Sequence, residues 1–221
     1  AAEGGARAET DTPVFNEIAP PFGDLYANPA ASQAMLDDAA FDVEAWLASE
    51  IATEFARAEG AAFVSGDGTN KPRGLLTYVT GGASAGVHPG GNLAIVNTGD
   101  ASSLGTSSTA IVDKLIDFSY GLTSPYRSNG TWLMNSLTAA TLAKLKDADG
   151  NLIWRESLSV GQPSTMLGRP VEIDENMPAI AAGSMPIAFG DFNRGYLIND
   201  RMGTRVLRDP YTNKPYVHFY T

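Results

Sequence analysis

The stretch ASQAMLDDAAFDVEAWLASEIATEFARAEGAAFVSGDGTNKPRGLLTY, Ala31 to Tyr78, decides how this chain is read. Val43, Leu47, Ile51, Phe55 and Ala62, flanked by Trp46, Ala58 and Phe63, recur at steps of three and four residues, so one apolar stripe runs along a helix. Asp37, Asp38, Asp42 and Glu44 gather at its start, where the helix dipole favours negative charge. Gly60 weakens the interior by about 1 kcal/mol, and Gly66 caps the C-terminal end. A polar turn of the form S-G-D-G-x-x-K-P-x-G follows, over 65–74. It lacks the G-x-x-x-x-G-K-[ST] spacing of a phosphate loop and closes a helix instead of opening one, so no row of helix N–H groups faces an anion.

Upstream, Ala1 to Ala27 is polar and interrupted by Pro13, Pro20 and Pro21. Such a segment reads as an isolated arm or an edge. Asn28-Pro29 predicts a helix start, as N-cap and first helical residue, with a short helix to about Asp37. Downstream, Leu75 to Thr80 predicts a strand, and 81–108 is a Gly/Ser/Thr/Asn-rich excursion around a short strand at Leu93 to Asn97. Helical periodicity returns over Thr109 to Thr123. A buried strand at Thr131 to Asn135 and a helix at Leu137 to Lys146 come next, then a polar loop from Arg155 to Thr165. The remainder reads as short strands at Pro170–Asp174, Pro186–Phe189, Gly195–Asn199, Thr204–Leu207 and Tyr216–Tyr220. Helices and strands mix without regular alternation, which predicts an α+β fold.

Composition narrows the function. The 221 residues suffice for a sizeable core. Charged residues make up 18%, below the usual share of about 25%, which fits extensive protein contact. A net charge of -10 argues against direct wrapping of nucleic acid. With no cysteine there are no disulfides or thiolate metal sites, and no apolar run reaches the roughly 18 residues of a membrane span. The start, Ala-Ala-Glu-Gly-Gly-Ala-Arg, has neither an initiator Met nor a signal-peptide pattern and reads as a cut end.

Catalytic patterns are thin. Gly82-Ala83-Ser84-Ala85-Gly86 spells G-x-S-x-G, but a nucleophile elbow needs a helix directly after the serine, and Val87-His88-Pro89-Gly90-Gly91 follows. A serine hydrolase built on Ser84, Asp191 and His218 is the alternative function this chain offers, in the order expected of such a triad. His218 otherwise reads as a half-exposed strand residue. Asp147-Ala148-Asp149-Gly150 lacks the glutamate at the twelfth place of a calcium loop and reads as a helix-ending turn. Glu172, Asp174 and Glu175 read as the wet side of a strand. No cofactor is expected.

Taken in order, Leu36 to Tyr78, LKDADGNLIW (Leu145 to Trp154), LGRPVEIDENMP (Leu167 to Pro178), IAFGDF (Ile187 to Phe192) and LRDPYTNKP (Leu207 to Pro215) resemble the major capsid proteins of tailed phages with the Hong Kong 97-type fold. The resemblance is strongest to gene transfer agent and prophage members. It implies a structural subunit, not an enzyme, that assembles with copies of itself into pentamers and hexamers of a shell enclosing DNA without reading its sequence. A scaffold segment, a prohead protease and a portal protein are the implied further partners, with assembly in a bacterial host cytoplasm and residence in the virion.

The same resemblance implies an extended-loop arm over 1–27 and a peripheral domain over 28–107 and 202–221, in which the long helix is the spine. An axial domain would occupy 108–201. The subunit-contact candidates are Arg7, Glu9, Asp11 and Asp24 on the arm; Trp154, Arg155 and Glu156 near the five- and six-fold axes; and Arg208, Asp209 and Lys214 near the three-fold contacts. The family's N-terminal arm, first extended-loop strand and C-terminal strand region have no counterpart here, so a fragment is expected. No lysine precedes Lys71, so the lysine–asparagine cross-link of some members is not expected.

Overall fold

The structure is a computed structural model and describes residues 12, 15, 17–88, 90–146, 149–152, 154, 164–200 and 203–221. Its first regular element is not the helix expected at Asn28-Pro29 but a strand, β1 (Ala30–Ser32). β1 pairs antiparallel with β7 (Tyr216–Tyr220), which pairs antiparallel with β6 (Leu207–Asp209). This sheet, in order β1-β7-β6, joins the two ends of the described chain. Asn28 is spent differently: its Oδ1 lies 3.2 Å from His218 Nδ1. The short helix α1 (Gln33–Asp38) is instead capped by Ser32, whose Oγ accepts from Met35 N.

The long helix α2 (Val43–Ser65) forms as its periodicity demands. Asp42 caps it, accepting from Ala45 N at 3.0 Å, and Val43, Ile51 and Val64 are its buried residues. Val43 joins Ala31, Val217 and Phe219 in a small core, with Leu36, Ala39 and Leu47 packed against it. Trp46 stays 49% exposed, so the apolar stripe is only partly covered within the subunit.

Gly66 ends α2 in extended backbone, φ -62° and ψ 138°, and not in a left-handed turn. Glycine is required there by crowding, because a Cβ would lie 2.2 Å from Pro72 O and 2.6 Å from Ala62 O. Leu75–Tyr78 is a 3₁₀ turn and not the expected strand. Thr77 N and Thr77 Oγ1 both donate to Gly74 O, and that local bonding draws the chain out of an extended path.

A larger core lies around the second sheet, of order β3-β4-β2-β5. Its strands are β2 (Thr131–Met134), β3 (Thr165–Met166), β4 (Arg169–Ile173) and β5 (Ile187–Gly190). β2 runs parallel to β4 and antiparallel to β5. Helices α3 (Ser108–Gly121) and α5 (Ser136–Ala143) pack here, with a short α4 (Ser124–Arg127) between α3 and β2. Trp132, Met134 and Leu142 are fully buried. Trp132 packs on Phe189 with ring centroids 4.3 Å apart and donates its Nε1–H to Met166 O at 3.0 Å, so the large indole leaves no polar atom unpaired.

Asn135 ends β2 and caps α5, accepting from Thr138 N at 2.8 Å while its Nδ2 donates to Met177 O at 3.2 Å. The strands expected at Leu93–Asn97 and Gly195–Asn199 do not form. Gly195 ends the short helix α6 (Phe192–Gly195), and Leu93 makes only an isolated bridge to Val79.

Candidate subunit-contact surfaces

The exposed apolar residues of a short run before β1 were not named by any sequence motif. Ile18 is 57% exposed, Phe22 69%, Leu25 44% and Tyr26 70%. Backbone bonds between Ala27 and Thr221, in both directions, fasten the end of this arm to β7. Tyr26 stacks on Tyr220 at 6.4 Å. Further along, Gly23 passes the signature turn so closely that a Cβ would lie 1.9 Å from Asn70 O. Proline content and the family resemblance were the sequence signals for this arm; its exposure depends on where β7 and the turn hold it.

The turn itself is self-contained. Asp67 Oδ1 accepts from Thr69 N at 2.9 Å and lies 3.7 Å from Lys71 Nζ. The Thr69 N–H, with Lys71 assisting, holds the Asp67 carboxyl below its ordinary range. From the far side, the Tyr196 hydroxyl donates to Arg73 O at 2.6 Å. Burial first, and Tyr78 second, push that phenol up to about 12.

Of the contact candidates, Arg7, Glu9, Asp11, Arg155 and Glu156 lie outside the described residues. Asp24 is exposed beside Gly23. Trp154 is 8% exposed in the isolated subunit, belongs to the larger core, and donates its Nε1–H to Thr165 O at 2.8 Å. An indole covered by its own subunit has little surface left for another.

Arg208 Nε makes a salt bridge to Glu44 Oε1 at 3.1 Å, tying β6 to the first turn of α2. Asp209 braces the following loop, accepting from Tyr211 N, Thr212 N and the Thr212 hydroxyl. Those bonds, the Thr212 hydroxyl foremost, hold its carboxyl below the ordinary range. Lys214 is exposed on the same loop, before a cis peptide to Pro215.

The hydrolase triad does not assemble. Ser84 is 1% exposed in a run of turns, with its Oγ 3.0 Å from Thr77 Oγ1, and no strand-to-helix elbow presents it. Asp191 faces Arg194 at 3.9 Å, and His218 pairs with Asn28. None of the three hydrogen-bonds another, so the nucleophile–base–orienter chain is missing. Among the described residues no group of three or more His or acidic side chains is placed to hold a metal ion, and no helix is long and apolar enough to cross a membrane.

Beside the larger core lies an apolar groove of about 810 Å³. Ile111, Leu115 and Phe118 of α3 form one wall, β5 another, and the extended run Leu93–Thr98 a third.

The phage capsid family matches the chain over residues 1–221. No curated protein matches it. Among solved structures, the capsid of a native GTA particle computed with C5 symmetry is 47% identical with a TM-score of 0.86, over 100% of this chain and 73% of that one. The capsid of an empty GTA particle is 45% identical with a TM-score of 0.81, over 98% of this chain and 74% of that one. A protein of Mycobacterium phage Cain, at 17% identity and a TM-score of 0.50 over 89% of this chain and 62% of that one, shares the fold alone. A mixed helix-and-sheet subunit with its catalytic motifs unassembled and its apolar arm laid outside its cores thus has its counterparts among particle shells, and the chain belongs to the phage capsid family as a structural shell subunit.

Proposed function

We propose that the chain forms pentamers and hexamers of an icosahedral-type shell that encloses DNA without reading its sequence. The observation that carries this reading is the 47% identity over the whole chain to a capsid described with five-fold symmetry. In this reading 1–27 is the extended-loop arm, 28–107 with 202–221 the peripheral domain, and 108–201 the axial domain. Two separate cores support that division. The role is structural and not catalytic; the separation of Ser84, Asp191 and His218 into unrelated polar pairs supports it.

A net charge of -10 keeps the inner wall from adhering to packaged phosphates and keeps the free subunit soluble. A scaffold segment, a prohead protease and a portal protein are the partners this role calls for, with assembly in a bacterial cytoplasm and the finished subunit in the virion. Arg208, Asp209 and Lys214 mark one face between subunits, and Asp24 with Arg7, Glu9 and Asp11 mark the arm. Electron microscopy of the full-length protein, co-produced with its scaffold and protease, is the test. Closed shells are expected; monomers alone would refute the reading.

A further inference from the structure

The groove beside the larger core has the size of a ligand site and one free charge. Its volume of about 810 Å³ falls within the roughly 300–1,000 Å³ of small-molecule sites. Leu76, Leu93, Ile95, Leu115, Phe118 and Ile187 give it an apolar lining. Leu93, Ile95 and Val96 remain 41%, 45% and 38% exposed, so apolar surface is left there whose removal from water is favourable.

Missing side chains keep the space open. Gly121, Gly190 and Gly195 line the groove. At each, an added Cβ would meet no atom within 4 Å, and none has the left-handed φ that calls for glycine. Among the described residues only Gly203 is glycine on the same terms elsewhere. Neither crowding nor backbone conformation explains the three. Their shared place does, since side chains there would narrow the groove.

Charge selects the occupant. The charged residues lining the groove are Lys114, Arg194, Asp100 and Asp191. Asp191 faces Arg194 at 3.9 Å, and Asp100 turns its Oδ1 to Ser102 N and Ser103 N of its own loop. Lys114 is partly buried on α3 and forms no ion pair among the described residues. An apolar chain laid over that ammonium without a counter-charge would strip water from it at a cost. A ligand with an acidic head and an apolar tail meets both demands, and a groove of this volume takes one such tail.

We infer that this groove binds a free, single-tailed amphipathic carboxylate, with its head at Lys114 and its tail along Leu93, Ile95 and Phe118. The site lies within one subunit, and the inference stands apart from the shell reading. Isothermal titration of the full-length free subunit with dodecanoate, below its micelle concentration, is the test. One saturable site per subunit is expected, with dodecanol and dodecyltrimethylammonium binding about tenfold or more weaker. Lys114→Met keeps the stem and removes the charge, so it should weaken dodecanoate by a similar factor and leave dodecanol unchanged. Gly190→Leu, with open space before its Cβ, should weaken both.

No binding, equal binding of the three probes, or full dodecanoate affinity in Lys114→Met or Gly190→Leu would overturn the inference. Binding confined to anionic phospholipid vesicles would also overturn it, by marking a membrane surface instead. Should the variants fail to fold, hydrogen exchange on the unmodified protein decides. Dodecanoate should slow the amides of residues 93–97 and of β5 by about threefold or more; slowing elsewhere, or none, refutes the site. If those amides slow only when particles assemble and the free subunit takes no probe, the groove receives another copy of the chain and the inference falls.

Discussion

Replacing Tyr196 with phenylalanine isolates the bond that holds the signature turn from across the molecule. The hydroxyl donates to Arg73 O at 2.6 Å over 123 positions of sequence, while the ring packs edge-on against Phe63 at 6.4 Å and survives the change. A buried neutral hydrogen bond is worth about 1 kcal/mol, and a stranded carbonyl adds to its loss. Tyr196 is only partly covered, so solvent limits that addition and a cost of about 1–2 kcal/mol is expected. With a urea slope near the upper end of about 1–3 kcal/mol per molar, the midpoint of Tyr196→Phe falls by about 0.5 M with the slope unchanged.

The pH dependence carries the sharper signature. Folding raises the Tyr196 pKa, so its contribution is complete below pH 10 and disappears as pH climbs through about 12. The gap between the two proteins should be constant from pH 7 to 9 and close between pH 10 and 12, the other tyrosines cancelling in the comparison. Equal midpoints at pH 7 would refute the assignment of the bond, and a gap that persists at pH 12 would refute the burial that raises the phenol.

Three further changes separate the roles of other residues. Asn135→Ala removes the cap of α5 and the bond to Met177 O together, so a loss of about 2–3 kcal/mol is expected in thermal or urea unfolding; a loss under 1 kcal/mol would mean the cap is dispensable. Gly23→Ala places a Cβ 1.9 Å from Asn70 O, so the arm should lift from the turn, seen as faster proteolysis near residue 23 with a near-normal melting temperature; unchanged proteolysis would contradict the close approach. Arg208→Ala breaks a pair whose partners are about half exposed, so subunit stability should fall by less than about 1 kcal/mol. If Arg208 is a contact residue, particle yield drops far more than stability does; equal, small effects on both would remove it from the contact set.

The division between what was legible and what was not follows the range of the forces. α2, α3 and the β2–Asn135–α5 unit read directly from the chain, since a helix satisfies its N–H groups four residues away and its caps lie in the same few positions. Asp42, read from the sequence only as one of the acids at the helix start, is its cap, and the ordered family segments named the fold class before any geometry was known. Strands need a partner that sequence does not supply. β1 exists because β7 lies beside it, and this turned an apparent helix start at Asn28-Pro29 into an extended pair. Leu93–Asn97 has strand chemistry but, past Leu93, pairs with no strand among the described residues.

Contact residues divide the same way. Trp154, named for subunit contact from the sequence, is covered by its own subunit, whereas the arm's apolar side chains, unremarked in the sequence, are exposed. The chain alone determined the long helix, its turn, the α+β class and the kinship, because these rest on local hydrogen bonding and residue order. Tertiary structure alone decided which apolar residues lie inside the subunit and which wait at its surface, because burial is fixed by neighbours far away in the chain.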